Sequence, residues 1–138
     1  MKKIILTIAV FSCAFFFAQK SENYIEISYN SICCGPPSST PVINYINSFQ
    51  GKKNTLEVYQ QSRLGREGEY KLFIGIDALS KSKKAKFIKG LEAAINSQNR
   101  SRNESSDGIV NFESQKIVKK EKLNTLNNLT IYKKENLK

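Results

Sequence analysis

The sequence predicts an α+β domain, a small antiparallel sheet with two helices packed on one face. Three observations predict it. Tyr70, Leu72, Ile74 and Ile76 alternate strictly, which is the period of a half-buried strand. Two stretches, one after Thr40-Pro41 and one after Ser80, carry apolar residues at helical spacing. The tight hairpin signal, Arg63 to Glu69, falls between the two central strands.

Each element follows from local chemistry. Ile25, Ile27 and Tyr29 alternate with Glu26 and Ser28 to give the first strand. It runs into Ile32-Cys33-Cys34-Gly35-Pro36-Pro37, where glycine and the prolines stop it. Thr40 is the expected cap of the first helix, with Pro41 in its first position. Val42, Ile43, Ile46 and Phe49 share one helical face, with Tyr45 at its margin and Gly51 as the stop.

In the second strand Leu56 and Val58 face one way and Tyr59 the other. Gly65 and Gly68 supply the unusual backbone angles of the hairpin loop. Phe73 points away from the face of Leu72 and Ile74, so that second face is expected to be partly covered. Ser80 caps a second helix of about four turns. Its buried stripe is Phe87, Ile88, Leu91, Ala94 and Ile95. Asn96 to Gly108 contains no apolar residue and reads as a loop.

Ile109, Val110 and Phe112 open a fourth strand that continues to Ile117-Val118. Beyond it, Leu123, Leu126 and Leu129 fit a short helix, whereas Leu129 to Tyr132 fits a strand. The reading favours an added strand or hairpin arm, with a frayed end after Lys133. Strand, helix, strand, strand, helix, strand is the ferredoxin-like plan (β-α-β-β-α-β), here with a C-terminal extension. The expected division is a leader at residues 1–18, one α+β domain at 19–118 and a basic extension at 119–138.

The leader is expected to direct export. Lys2 and Lys3 precede an almost wholly apolar run, Ile4 to Phe17, closed by the small residue Ala18. This is the layout of a secretory signal peptide and is too short for a membrane span. The mature chain is therefore expected in the periplasm, in the cell envelope or secreted, with no transmembrane span and with thiols free to oxidise. A lipoprotein signal ending at Cys13 is the competing reading. Phe11 is bulky where a small residue is usual, and cleavage there would leave an apolar stub.

The whole chain carries +10, and loss of Lys2 and Lys3 leaves +8. In an exported protein such a charge points away from nucleic acid and toward an anionic envelope polymer, lipid headgroups or an acidic protein. Solubility alone also explains it. The chain has no histidine and no tryptophan. Histidine-dependent nucleophile pairs, the commonest zinc ligand and c-type haem attachment are thereby excluded.

Cys33 and Cys34 with Gly35 form the chemically specific feature. Adjacent α-carbons sit about 3.8 Å apart across a trans peptide, below the usual disulfide span. A bond between these cysteines therefore calls for a distorted or cis peptide, and such a bond is easily reduced. A redox-sensitive pair is one reading. Two thiolates without histidine also suit a soft ion of low coordination number, copper(I). A structural bond, buried thiols or pairing with another chain are the remaining readings. A cysteine pair in the first strand–helix loop of this element order resembles the heavy-metal-associated domains, and the resemblance implies metal binding there. Those domains use Cys-x-x-Cys, usually after a methionine. Here the cysteines are contiguous, and Met1 is lost with the leader.

Charge offers two further candidates. Lys81, Lys83, Lys86 and Lys89, with Lys84 at the edge of the apolar stripe, crowd the start of the second helix, where cations oppose the helix dipole. They suit an adaptor for anionic envelope material. Arg63 and Arg66 could clamp a carboxylate or phosphate, although pairing with Glu67 and Glu69 is the favoured expectation. No phosphate loop, nucleophile elbow or metalloprotease motif is present. The residues favour a binding module over an enzyme.

Overall fold

The structure is a computed structural model that describes residues 20–53 and 56–132. The expected leader, Cys13 within it and the expected fraying after Lys133 lie outside the described residues. Five strands are present: β1 (Asn23–Asn30), β2 (Val58–Gln61), β3 (Tyr70–Gly75), β4 (Ile109–Lys119) and β5 (Leu129–Ile131). Between them run three α-helices, α1 (Thr40–Gln50), α2 (Lys81–Arg100) and α3 (Lys120–Asn124). The strands form one antiparallel sheet in the order β4-β1-β3-β2-β5. The protein is thus α+β, and its order differs from the four-strand expectation by a fifth strand on the β2 edge.

Side-chain alternation decides what each face holds. Ile25, Ile27 and Tyr29 of β1 and Leu72 and Ile74 of β3 turn to one face, where they meet Val42, Ile43 and Ile46 of α1 and Phe87, Leu91 and Ile95 of α2. Burying one such side chain contributes about 1.5–3 kcal/mol, so this double layer is the main source of stability. The intervening positions Tyr24 and Phe73 face the other way and are covered by Val118 and Leu123. The cover expected over Phe73 is therefore real, and α3 with the end of β4 supplies it.

A bulge makes both faces reachable from one strand. Ile25 pairs with Ile117 and Ile27 with Phe112, so β4 carries three extra residues opposite Glu26. The irregularity sends Val110 toward the helices and Val118 toward the second face. Lys116, lifted by the bulge, joins Lys71 in pairing with Glu26 at 3.2 and 2.9 Å.

Three local expectations need correction. Helix α1 begins at Thr40 with Ser39 as its cap, which puts Pro41 one position later than expected. Ser38 does the local work: its hydroxyl accepts the Thr40 amide at 3.1 Å. Helix α2 runs to Arg100, because Asn96 to Arg100 continue helically although polar. The segment after β4 forms both α3 and β5: of the three leucines expected in a helix only Leu123 lies in α3, and Leu129 begins the strand.

Gly51 ends α1 at a positive φ of 59°, as its place after the apolar stripe implied. Gly90 has a different role. Tyr45 of α1 lies against it and donates its hydroxyl to the Phe87 carbonyl at 3.0 Å, so a β-carbon there would collide with the phenol. This contact locks α1 onto α2. Among the described residues no helix is long and apolar enough to cross a membrane.

Candidate functional site

The topology gathers three loops at one end of the sheet: the cysteine loop after β1, the β2–β3 hairpin and the segment between α2 and β4. Tyr29 at the end of β1 pairs with Tyr70 at the start of β3, and Asn30 pairs with Ile109 at the start of β4. The cysteine loop is held from several sides. Ser31 accepts the Gly35 amide at 3.1 Å, and Gly35 takes a φ of 101° that other residues rarely adopt. The Tyr70 hydroxyl donates to the Pro37 carbonyl at 2.7 Å, while its ring stacks on Tyr29 with centroids 4.4 Å apart.

Within this frame Cys33 and Cys34 are both exposed, with their sulfurs at bonding distance from one another. Their α-carbons are 3.8 Å apart, and no described peptide bond is cis. The pair is therefore two adjacent sulfurs at disulfide distance, carried by residues presented to solvent. Neither cysteine of the pair is buried.

Cys34 also forms part of a wall. A cleft of about 320 Å³ separates Cys34, Pro36 and Pro37 from Gln98, Arg102 and Asp107. Gln98 spans the gap, donating to the Ser38 carbonyl at 2.7 Å, and its buried Oε1 has no partner. Asn99 fixes the far wall by pairing with both backbone groups of Val110, at 2.8 and 3.0 Å. Arg102 donates to the Asp107 carbonyl at 3.2 Å. The Asp107 carboxylate accepts from the Asn103 amide at 2.7 Å and the Ser106 hydroxyl at 3.1 Å.

The structure sorts the other candidates clearly. Gly35 approaches the Glu67 carbonyl, so the hairpin carrying Arg63 and Arg66 adjoins the cysteine loop. Both arginines are exposed, and the pairing expected with Glu67 and Glu69 is absent among the described residues. The physical reason is local: Arg63 has a positive φ of 61°, and the Glu69 carboxylate turns inward to accept the Glu67 amide at 3.1 Å. Lys81, Lys83, Lys86 and Lys89 are exposed on the first half of α2, at the end of the fold away from the cleft. Lys84 is half-buried at the stripe's edge, and Ser80 caps the helix through the Lys83 amide at 3.4 Å.

A second polar cluster lies on the α3 face. Glu57 accepts from Tyr24 at 2.5 Å and from Tyr59 at 2.9 Å. Lys120 donates to both hydroxyls, at 3.1 and 2.9 Å, and sits 4.3 Å from the Tyr59 ring centre. Burial works to raise the Glu57 pKa, but the two phenols and the Lys120 charge outweigh it and hold the carboxyl below its ordinary range. Burial first, and then the Glu57 carboxylate, push the Tyr24 hydroxyl well above the phenol range. Fully engaged groups of this kind fasten α3 to the sheet rather than wait for a substrate.

Sequence reasoning missed Gln98, Arg102 and Asp107 because they stand in a polar run without periodicity or motif. The available signal was Gly108 immediately before a strand. A β-carbon there would collide with the Asn30 carbonyl, so no side chain fits. Among the described residues no group of three or more cysteine, aspartate or glutamate side chains converges to hold a metal. The two sulfurs are the soft ligands the loop offers. No protein-family model, curated protein or solved structure matches the chain.

Proposed function

We propose that this chain is an exported binding module, non-enzymatic, whose Cys33-Cys34 pair switches between disulfide and dithiol and so alters the cleft that Cys34 lines. Its core follows the ferredoxin-like plan with an added edge strand. The observation that carries the reading is the exposure of two adjacent cysteines, with sulfurs at bonding distance, on the wall of a cleft. Exchange requires an attacking thiol to reach a sulfur, and both cysteine residues here are exposed. The leader-like pattern of residues 1–18 supports the reading, because a secretory signal would carry the pair to an oxidising compartment.

Copper(I) is the related alternative. Reduction would free two thiolates for a linear site, with Gly35 giving the loop room to open. Intact mass of the purified protein separates the two. The redox reading predicts a gain of about two daltons on mild reduction and no copper adduct on the oxidised form. An adduct that forms only after reduction supports the metal version, and no mass change under either treatment removes both.

A second reading is favoured by one observation. Lys81, Lys83, Lys86 and Lys89 are exposed and form no ion pair among the described residues. An adaptor using this face would bind anionic envelope polymer, and retention would fall steeply with salt. Unchanged retention after reversing those four charges would remove it.

A further inference from the structure

We propose that the cleft beside Cys34 takes a small thiol bearing a carboxylate, with Cys34 the sulfur attacked and Arg102 the carboxylate's partner. This rests on the redox reading of the pair and specifies what reacts with it.

The two cysteines are not equivalent. Cys34 lines the cleft together with Arg102, whereas Cys33 stands outside it. A thiol held in the cleft therefore meets Cys34. The volume, about 320 Å³, lies at the lower end of small-molecule sites, about 300–1,000 Å³. It suits a molecule of peptide size.

The polar groups then select its chemistry. Two charged side chains face the cleft. Both oxygens of Asp107 are engaged, by Asn103 and Ser106. Arg102 spends one N–H on a neutral carbonyl and has no carboxylate partner among the described residues, so it is the charged group that keeps donors free for a ligand. A planar guanidinium with free donors matches a carboxylate. Gln98 adds a complementary demand. Its amide nitrogen must face the Ser38 carbonyl, which leaves Oε1 buried and unpaired. A ligand N–H, such as a peptide amide carries, would satisfy it once the side chain turns that oxygen into the cleft.

The chemical step balances without another reactant. The ligand thiolate attacks Cys34 Sγ and forms a new S–S bond. The Cys33–Cys34 bond breaks, and its electron pair leaves on Cys33, which takes a proton from water. The products are a mixed disulfide on Cys34 and a free Cys33 thiol.

The test uses the full chain carrying Cys13→Ser, so that only the loop thiols react. In the Cys33→Ser background, Cys34 is exposed to glutathione disulfide or to cystamine, a disulfide of similar reactivity bearing amines in place of carboxylates. Mixed-disulfide formation is followed by intact mass at physiological salt. The proposal predicts about a tenfold preference for glutathione disulfide at Cys34, the scale of one charge-assisted hydrogen bond. Arg102→Gln should abolish the preference, and Cys33 in the Cys34→Ser background should lack it. An equal preference at Cys33, or one that survives Arg102→Gln, overturns the proposal. These single-thiol variants form no vicinal bond, so a failed preference leaves the redox reading standing. Absence of the two-daltons gain in the unsubstituted protein removes the redox reading itself.

Discussion

Gly108 lies so close to the Asn30 carbonyl that a β-carbon at this position would collide with it and would also lie 2.7 Å from Pro37 Cδ. The contact joins the segment after α2 to the strand end from which the cysteine loop departs. Asn30 contributes backbone, which cannot swing aside. Gly108→Ala is therefore expected to destabilise the protein by about 1–3 kcal/mol, the usual cost of overpacking. Urea denaturation checks it, and an unchanged midpoint would show that the three loops are not held in register by this contact.

Tyr24 and Tyr29 are both fully buried, yet their hydroxyls have opposite fates. Tyr24 donates to Glu57, whereas the Tyr29 hydroxyl has no partner. Tyr29→Phe removes an unpaid desolvation and should raise stability by about 1 kcal/mol. Tyr24→Phe should lower it by about 1.5–3 kcal/mol, because a bond to a charged carboxylate is lost. Denaturant midpoints that move in the same direction for both variants would contradict the assignment.

The Glu57 cluster predicts an acid limb of known sign. Its folded-state pKa lies below the unfolded value, so the stabilisation is complete above the ordinary glutamate range, about 4.3. It is lost as pH falls through the lower folded value. Glu26 and Asp77 are also held down, against burial, by Lys71 and Lys116 and by hydrogen bonds from Asn23 respectively, so they act in the same direction. Glu57→Gln should shrink the loss of stability between pH 5 and pH 3 without abolishing it. Equal acid sensitivity in the variant would show that the cluster is not coupled to folding.

At the alkaline end the sign reverses. Burial raises the pKa of Tyr24 and Tyr29, so the unfolded chain releases those protons first. Stability should fall as pH rises past about 10, the ordinary phenol value. Ultraviolet titration should show both phenols ionising only as the fold is lost. Their ionisation in the intact fold, within the ordinary range, would contradict the packing described for them.

Much of this was legible in the sequence, for reasons that lie in particular residues. Strict alternation in β1 and β3 announced the two-faced sheet, and Phe73 announced that its second face would be covered. Ser80 and Gly51 marked helix ends through hydrogen-bond chemistry that hardly depends on context. The end of α2 was illegible because Asn96 to Arg100 carry no apolar period, and tertiary contacts such as Asn99 with Val110 make them helical. The cysteine pair was visible at once, but its cleft was not. Gln98, Arg102 and Asp107 lie more than sixty positions from Cys34 and meet it only through the sheet topology. The arginine hairpin failed differently, since proximity in sequence suggested ion pairs that the turn's backbone does not permit.

The central claim is that Cys33 and Cys34 form a reversible bond on an otherwise unchanged fold. Alkylation of the folded protein with and without prior reduction, mapped to the peptide containing both residues, tests it most directly. The account predicts no label on either cysteine before reduction, label on both after it, and an unchanged far-ultraviolet circular dichroism spectrum. Label on either cysteine without reductant, or resistance of both to labelling after reduction, would contradict it.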